Sequence, residues 1–102
     1  MKVIFNPEAK AQLRRRRAWW KKNRDNRALF TQTIRAAAGI LEDAPKLQVH
    51  GMRDGVEVRR LSLRKVHCFV YYVILEDKNR VEIISVWGQE MAHQPDFADT
   101  DP

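Results

Sequence analysis

The sequence predicts an α+β fold in which a helical hairpin lies on one face of a mostly antiparallel sheet. Three observations carry this. "KVIF" (residues 2–5) is a short apolar run of strand type. Apolar residues then recur at helical spacing through two stretches that end at Pro45. Three runs rich in β-formers follow: "VEVRRLSL" (56–63), "VHCFVYYVIL" (66–75) and "RVEIISVW" (80–87). The predicted order is β-α-α-β-β-β, with helices segregated to one side of the sheet.

Each element has a local cause. In "NPEA" Asn6 can cap a helix, Pro7 suits the first helical position, and Glu8 complements the helix dipole. Ala9, Leu13, Arg16 and Trp20 follow at helical spacing, with Ala9, Leu13 and Trp20 as the inward line. This helix is expected to end near Asn23 or Arg24. Asp25 or Asn26 can cap the second helix. There Phe30, Ile34, Ala37 and Leu41 form one apolar stripe, widened by Leu29, Thr33, Ala36 and Ile40. So short a connection folds the helices back on each other. Residues 46–55 are expected to be a loop, with His50, Gly51, Asp54 and Gly55 supplying turn chemistry. "RK" (64–65) and "EDKN" (76–79) read as tight hairpin connections. The first strand must pair away from its sequence neighbour, because two helices intervene.

Alternation changes phase inside "VEVRRLSL". Val56 and Val58 share one parity, and Leu61 and Leu63 share the other. Either a β-bulge at Arg59-Arg60 reconciles them with one core, or the start of the strand is an edge with no fixed burial. With Leu61 and Leu63 facing the helices, Arg60, Ser62 and Arg64 project from the other face. On the next strand His67, Phe69 and Tyr71 share one parity, and Cys68, Val70 and Tyr72 the other.

The chain has 102 residues, enough for one domain with a modest core. That domain is expected to span residues 1–92. The acidic, aperiodic tail 93–102 is expected to be poorly ordered. No apolar run approaches the length of a membrane span, and the first ten residues lack a signal-peptide core. A single cysteine, Cys68, excludes an internal disulfide and a cysteine-built zinc site, and it reads as a small buried hydrophobe. The expected location is a reducing cytoplasm. His50, His67 and His93 lack ligand spacing, and no glycine-rich phosphate loop exists, so no metal and no cofactor are expected.

Net charge is +6, and it is concentrated in "RRRRAWWKKNR" (14–24). Such a patch suits an anionic partner: nucleic acid, a phosphate-rich surface or an acidic protein. Four consecutive arginines on a helix sweep about 400°, so they cannot all face one partner. At least one must border the sheet, with its stem packed and its head reaching water. Trp20 falls on the core line. Trp19 lies one step off it, where it can stack on an arginine.

Taken together, "VIFNPEAKAQL", the helical hairpin, and "VRRLSL…VHCFVYYVI…VEIISVWGQEM" resemble the ParE/RelE toxin superfamily of bacterial type II toxin–antitoxin modules, over about residues 2–92. The specific part is the C-terminal half. The resemblance implies a toxin neutralised by a small cognate antitoxin, and it leaves two activities. RelE-like members cut mRNA on the ribosome; ParE-like members poison DNA gyrase by protein contact.

RNA cleavage through the 2′-hydroxyl needs a base, a cation at the phosphate and an acid for the leaving oxygen. Arg60 and Arg64 match basic positions of the nuclease branch, and His67 could act as a base only if it faces outward. Cys68 stands where a phosphate-binding arginine is usual, and Gln89 where an Arg or His is expected. The ending "VEIISVWGQEMA" looks more like the ParE branch. The reading is therefore a gyrase-directed toxin, with a ribosome-dependent mRNA interferase as the alternative and a degenerate, non-toxic member as the third option. Candidate target-contacting residues are Arg59, Arg60, Arg64, Lys65, Trp87 and Gln89. Candidate antitoxin-contacting residues are Arg14, Arg15, Trp19 and Lys22.

Overall fold

The structure, a computed structural model, describes residues 1–47 and 49–89. Its order is β1 (Lys2–Phe5), α1 (Pro7–Asn23), α2 (Arg27–Asp43), β2 (Val49–Arg53), β3 (Val56–Leu63), β4 (Cys68–Leu75) and β5 (Arg80–Gly88). The five strands form one sheet in the order β1-β5-β4-β3-β2. β1 runs parallel to β5, with Val3 opposite Val81, and the other pairs are antiparallel. The predicted class holds, with one strand more than expected.

The helix boundaries follow their caps. Asn6 Oδ1 accepts from the Ala9 amide at 2.8 Å, and Asn26 Oδ1 from the Leu29 amide at 3.2 Å. Each satisfies one of the donors that a helix start leaves open. The stripe Phe30, Ile34, Ala37 and Leu41 is buried throughout and packs with Ala9 and Trp20 onto Leu63, Val70, Tyr72, Val81, Ile83 and Val86. Burying a side chain such as Phe30 stabilises the fold by about 1.5–3 kcal/mol. The widening positions divide: Leu29 and Thr33 are half-buried, whereas Ala36 and Ile40 are exposed.

Residues 46–55 are not a plain loop. Val49–Arg53 forms edge strand β2, joined to β3 through Asp54 (φ 51°) and Gly55 (φ 76°). Positive φ at both central residues is the signature of the two-residue turn that Asp-Gly favours. The other two hairpins share one geometry. A single 3-10 turn (Arg64–Val66, Glu76–Lys78) ends in a left-handed residue, His67 or Asn79. Each of those residues donates its amide to the carbonyl three positions back, at 3.3 Å and 3.1 Å. His67 therefore lies in a turn, outside the strand parity predicted for it.

The phase change in β3 has a different cause from either one anticipated. Pairing of β3 with β4 is unbroken from Arg59 to Leu63, and Val58 is fully buried. Val58 packs with Tyr71 and Val73 in a second apolar cluster, on the sheet face away from the helices, bordered by Phe69, Leu75, Ile84 and Trp87. Both faces carry apolar residues, so both parities are used. The bulges lie elsewhere. In β5, Tyr72 faces Ile83 and Tyr71 faces Ser85, which leaves Ile84 as the extra residue. In β2, Val49 faces Arg59 and Gly51 faces Val58, which leaves His50 as the extra one. A bulge re-aims the side chains beside it.

Candidate functional site

Two regions bring the chemistry-bearing residues together. The first is the end of β5. β1 pairs with β5 only as far as Ile83. Past that point Gln12 of α1 takes over: its Oε1 accepts from the Val86 amide at 2.7 Å and the Ser85 hydroxyl at 3.1 Å. Beside this clip lies a cleft of 220 Å³ lined by Arg15, Arg16, Trp19, Val86, Trp87 and Gly88.

Arg16 corrects the expectation that the inward arginine reaches water. It is only 9% exposed, its Nε and Nη2 are buried, and its Cζ sits 4.2 Å from the Trp19 ring centroid. Gly88 makes room for it, since a Cβ there would lie 2.9 Å from Arg16 Nη1. Arg24 approaches the same Trp19 ring at 5.5 Å, so this indole meets two cations. Arg14, Arg15 and Lys22 are exposed. Of the antitoxin candidates, Arg15 and Trp19 therefore share a cleft with the target candidate Trp87, and Arg14 and Lys22 do not line it. Trp20 is buried as expected and donates its indole N–H to the Asn26 carbonyl at 2.7 Å.

The second region is the sheet face away from the helices. Arg60 lies over the Phe69 ring with its Cζ 4.4 Å from the centroid, and its guanidinium is near enough to Tyr71 to favour the phenolate. The His50 ring meets Tyr71 edge-on at 5.2 Å. Val49, His50, Arg60 and Ser62 line a hollow of 260 Å³. Burial pushes the Tyr71 phenol above its ordinary value, and the nearby Arg60 guanidinium partly offsets this. Sequence reasoning missed His50 and Tyr71 as neighbours of Arg60.

The other candidates scatter. Arg59 points to the helix side, donates to the Leu47 carbonyl, and bonds Glu57 at 2.9 Å, so it pins the segment before β2. Beside it the Tyr72 hydroxyl donates to the Pro45 carbonyl at 2.8 Å. Arg64 and Lys65 leave the strand in the 3-10 turn and line a groove against Ala36 and Ile40 of α2. His67 is exposed, and its carbonyl accepts from the Gln89 amide at 2.7 Å. Gln89 Nε2 donates to Ser62 Oγ at 3.1 Å and the Cys68 carbonyl at 3.4 Å, closing the end of the sheet. Cys68 is fully buried, with its Sγ 3.3 Å from the Val66 carbonyl. The predicted nuclease set Arg60, Arg64 and His67 is not assembled: only Arg60 stands on the open face. Among the described residues no group of His, Cys, Asp and Glu could hold a metal ion, and no helix is long and apolar enough to cross a membrane. The tail 93–102 lies outside the described residues.

The fold has counterparts among solved structures. The chain superposes on a chain of the intact E. coli RelBE toxin–antitoxin complex with a TM-score of 0.62 and 18% identity, covering 88% of this chain and 98% of that one. It also superposes on the isolated E. coli RelE toxin, again at TM-score 0.62 and 18% identity, over 90% of this chain and 87% of that one. No match was found among curated proteins. The model of the ParE toxin of the type II toxin–antitoxin system parDE matches residues 3–93. The chain belongs to the ParE toxin family, within the ParE/RelE superfamily.

Proposed function

We propose that this toxin acts by protein–protein contact on DNA gyrase and is held inactive by a cognate antitoxin in the cytoplasm. The observation that carries this reading is the scatter of the acid–base candidates. Arg60 is engaged by Phe69 and Tyr71, Arg64 faces α2, and the His67 backbone serves the sheet end. The ParE match over residues 3–93 supports the same branch. The direct test is gyrase supercoiling with purified toxin. Inhibition at stoichiometric toxin is expected, and full supercoiling at large excess would sink the reading.

One observation favours a ribosome-dependent mRNA interferase as the second reading. His50, Arg60 and Tyr71 put an imidazole, a guanidinium and a phenol beside one hollow of the open face, the chemistry that 2′-hydroxyl attack on a phosphodiester calls for. Toeprinting of translated mRNA separates the two: cuts support the nuclease, and intact message removes it. Normal growth on expression without antitoxin would instead mark a non-toxic member.

An antitoxin interface of roughly 1,200 Å² or more is expected, with acids set against the toxin's arginines. Charge reversal at Arg15 or Arg60 should weaken the complex in a salt-dependent manner. Unchanged affinity in both variants would remove the electrostatic part.

A further inference from the structure

The helical hairpin carries a groove of 410 Å³ between α1 and α2, in which Arg17 and Lys21 of α1 meet Arg27 and Arg35 of α2, with Thr31 and Gln32 among them. All four cations are exposed, and none forms an ion pair among the described residues. Asp25 is the only acid between Ala9 and Leu41, and it pairs with none of them.

This arrangement works against the helices that carry it. Arg17 and Lys21 stand four residues apart on α1, a like-charge pair that weakens a helix. Arg27 is the first residue of α2, whose first turn holds no acid. A cation there opposes the positive end of the helix dipole, where a carboxylate is favoured. Charges that repel one another attract an anion together, and the start of α2 adds to that field.

We infer that this groove binds the phosphate backbone of a nucleic-acid duplex, without regard to base sequence. Three features choose that ligand. Ala28 is the one apolar side chain of the lining, whereas a protein partner draws its affinity from buried aromatic or aliphatic anchors. No aromatic ring lines the groove, so unpaired bases have nothing to stack on. The cations repeat along the helices: Arg27 and Arg35 stand eight residues apart, roughly 12 Å along the axis, over which a duplex presents about seven phosphate charges. Thr31 and Gln32 add neutral donors of the kind that contact phosphate oxygens. The four cations line neither the α1–β5 cleft nor the hollow of the open face, so a bound duplex uses neither surface. The inference is independent of whether gyrase or mRNA is the target.

The test is fluorescence anisotropy of a labelled DNA duplex of arbitrary sequence with the full-length protein, over about 50–200 mM salt. The combined variant Arg17→Gln, Lys21→Gln, Arg27→Gln and Arg35→Gln should weaken binding at low salt by at least about tenfold and lower the slope of log affinity against log salt by about 3–4. The control removes the same charge outside the groove, with Lys2→Gln, Lys10→Gln, Lys46→Gln and Lys78→Gln, all at exposed positions. It should keep most of the affinity and most of the slope. Equal losses in the two variants would leave only net charge at work and overturn the proposal, as would a parent protein that does not bind the duplex at low salt. Poly-glutamate that displaces the duplex at a lower concentration of charge would assign the groove to an acidic protein and overturn it as well. An RNA duplex of equal length, run in parallel, tells the two sources of this backbone apart; binding of either that depends on the four cations upholds the proposal.

Discussion

The side-chain oxygen of Gln12 accepts from both the Val86 amide and the Ser85 hydroxyl, at 2.7 Å and 3.1 Å. One residue of α1 thus serves two donors on the edge of β5 that β1 does not reach. Gln12→Leu should leave both without that acceptor and cost about 1–3 kcal/mol. Gln12→Glu, which keeps the oxygen, should recover most of the loss. The measurement is the urea midpoint with the slope unchanged; equal midpoints for Gln12→Leu and the parent protein would remove the clip from the account of stability.

Gly88→Ala tests the packing of Arg16. The added Cβ would meet the end of a long flexible side chain, 2.9 Å from Nη1, so the guanidinium should give way before the backbone does. The expected result is a loss under about 1 kcal/mol together with a shifted Trp19 indole resonance. A large loss of stability with Trp19 unmoved would place the resistance in the strand itself.

Two positions on α2 should answer differently to the same change. Phe30 is 1% exposed, and Phe30→Ala should cost about 3–5 kcal/mol. Ile40 is 48% exposed, and Ile40→Ala should stay within about 0.5 kcal/mol. Thermal unfolding of the two variants compares them directly. Similar losses would mean that the outer stripe of α2 is covered in solution.

Alkaline pH should expose the burial of the tyrosines. Burial raises both Tyr71 and Tyr72 above the ordinary phenol value. Each therefore contributes stability that is fully present below about pH 10 and is lost as pH rises through the higher folded value. In a Tyr72→Phe background, absorbance near 295 nm should follow Tyr71 alone. Arg60→Leu should move that titration further up, because the arginine is what partly holds it down. A downward move would mean that Arg60 acts there mainly by excluding water.

Much of this fold was legible because its periodicities are local. Phe30, Ile34, Ala37 and Leu41 repeat at helical spacing and are all buried; Asn6 and Asn26 cap as their positions suggest. β2 was not legible, because His50 and Gly51 break the alternation and Asp54-Gly55 reads equally well as loop or hairpin. The bulge was sought in β3 on the premise of a single core. Val58, Tyr71 and Val73 instead build a second cluster, and the offset falls at Ile84 of β5. Of the candidate sites, Arg60 was placed correctly on the open face, since parity alone decides it. His50 was not, because its approach to Tyr71 depends on a register between distant strands. The split of Arg59 from Arg60 follows from parity as well, yet a run of adjacent charges invites reading as one patch.

The pairing of β1 with β5 has a consequence for the order in which the molecule comes into being. Val3 finds its strand partner only in Val81, and α1 finds the acceptor role of Gln12 only at Ser85 and Val86. A nascent chain that has emerged as far as Leu75 can close the local hairpins of β2, β3 and β4 and pack Trp20 of α1 against Phe30 of α2, but its first strand has no neighbour and Gln12 has no donor to serve. Contacts so distant in sequence are slow to form, because a long loop must close before they repay its entropy. The cleft, built from residue 12 at one end and residue 88 at the other, is among the last surfaces to exist. The chain must be translated through Gly88 before the product has that face to present to anything.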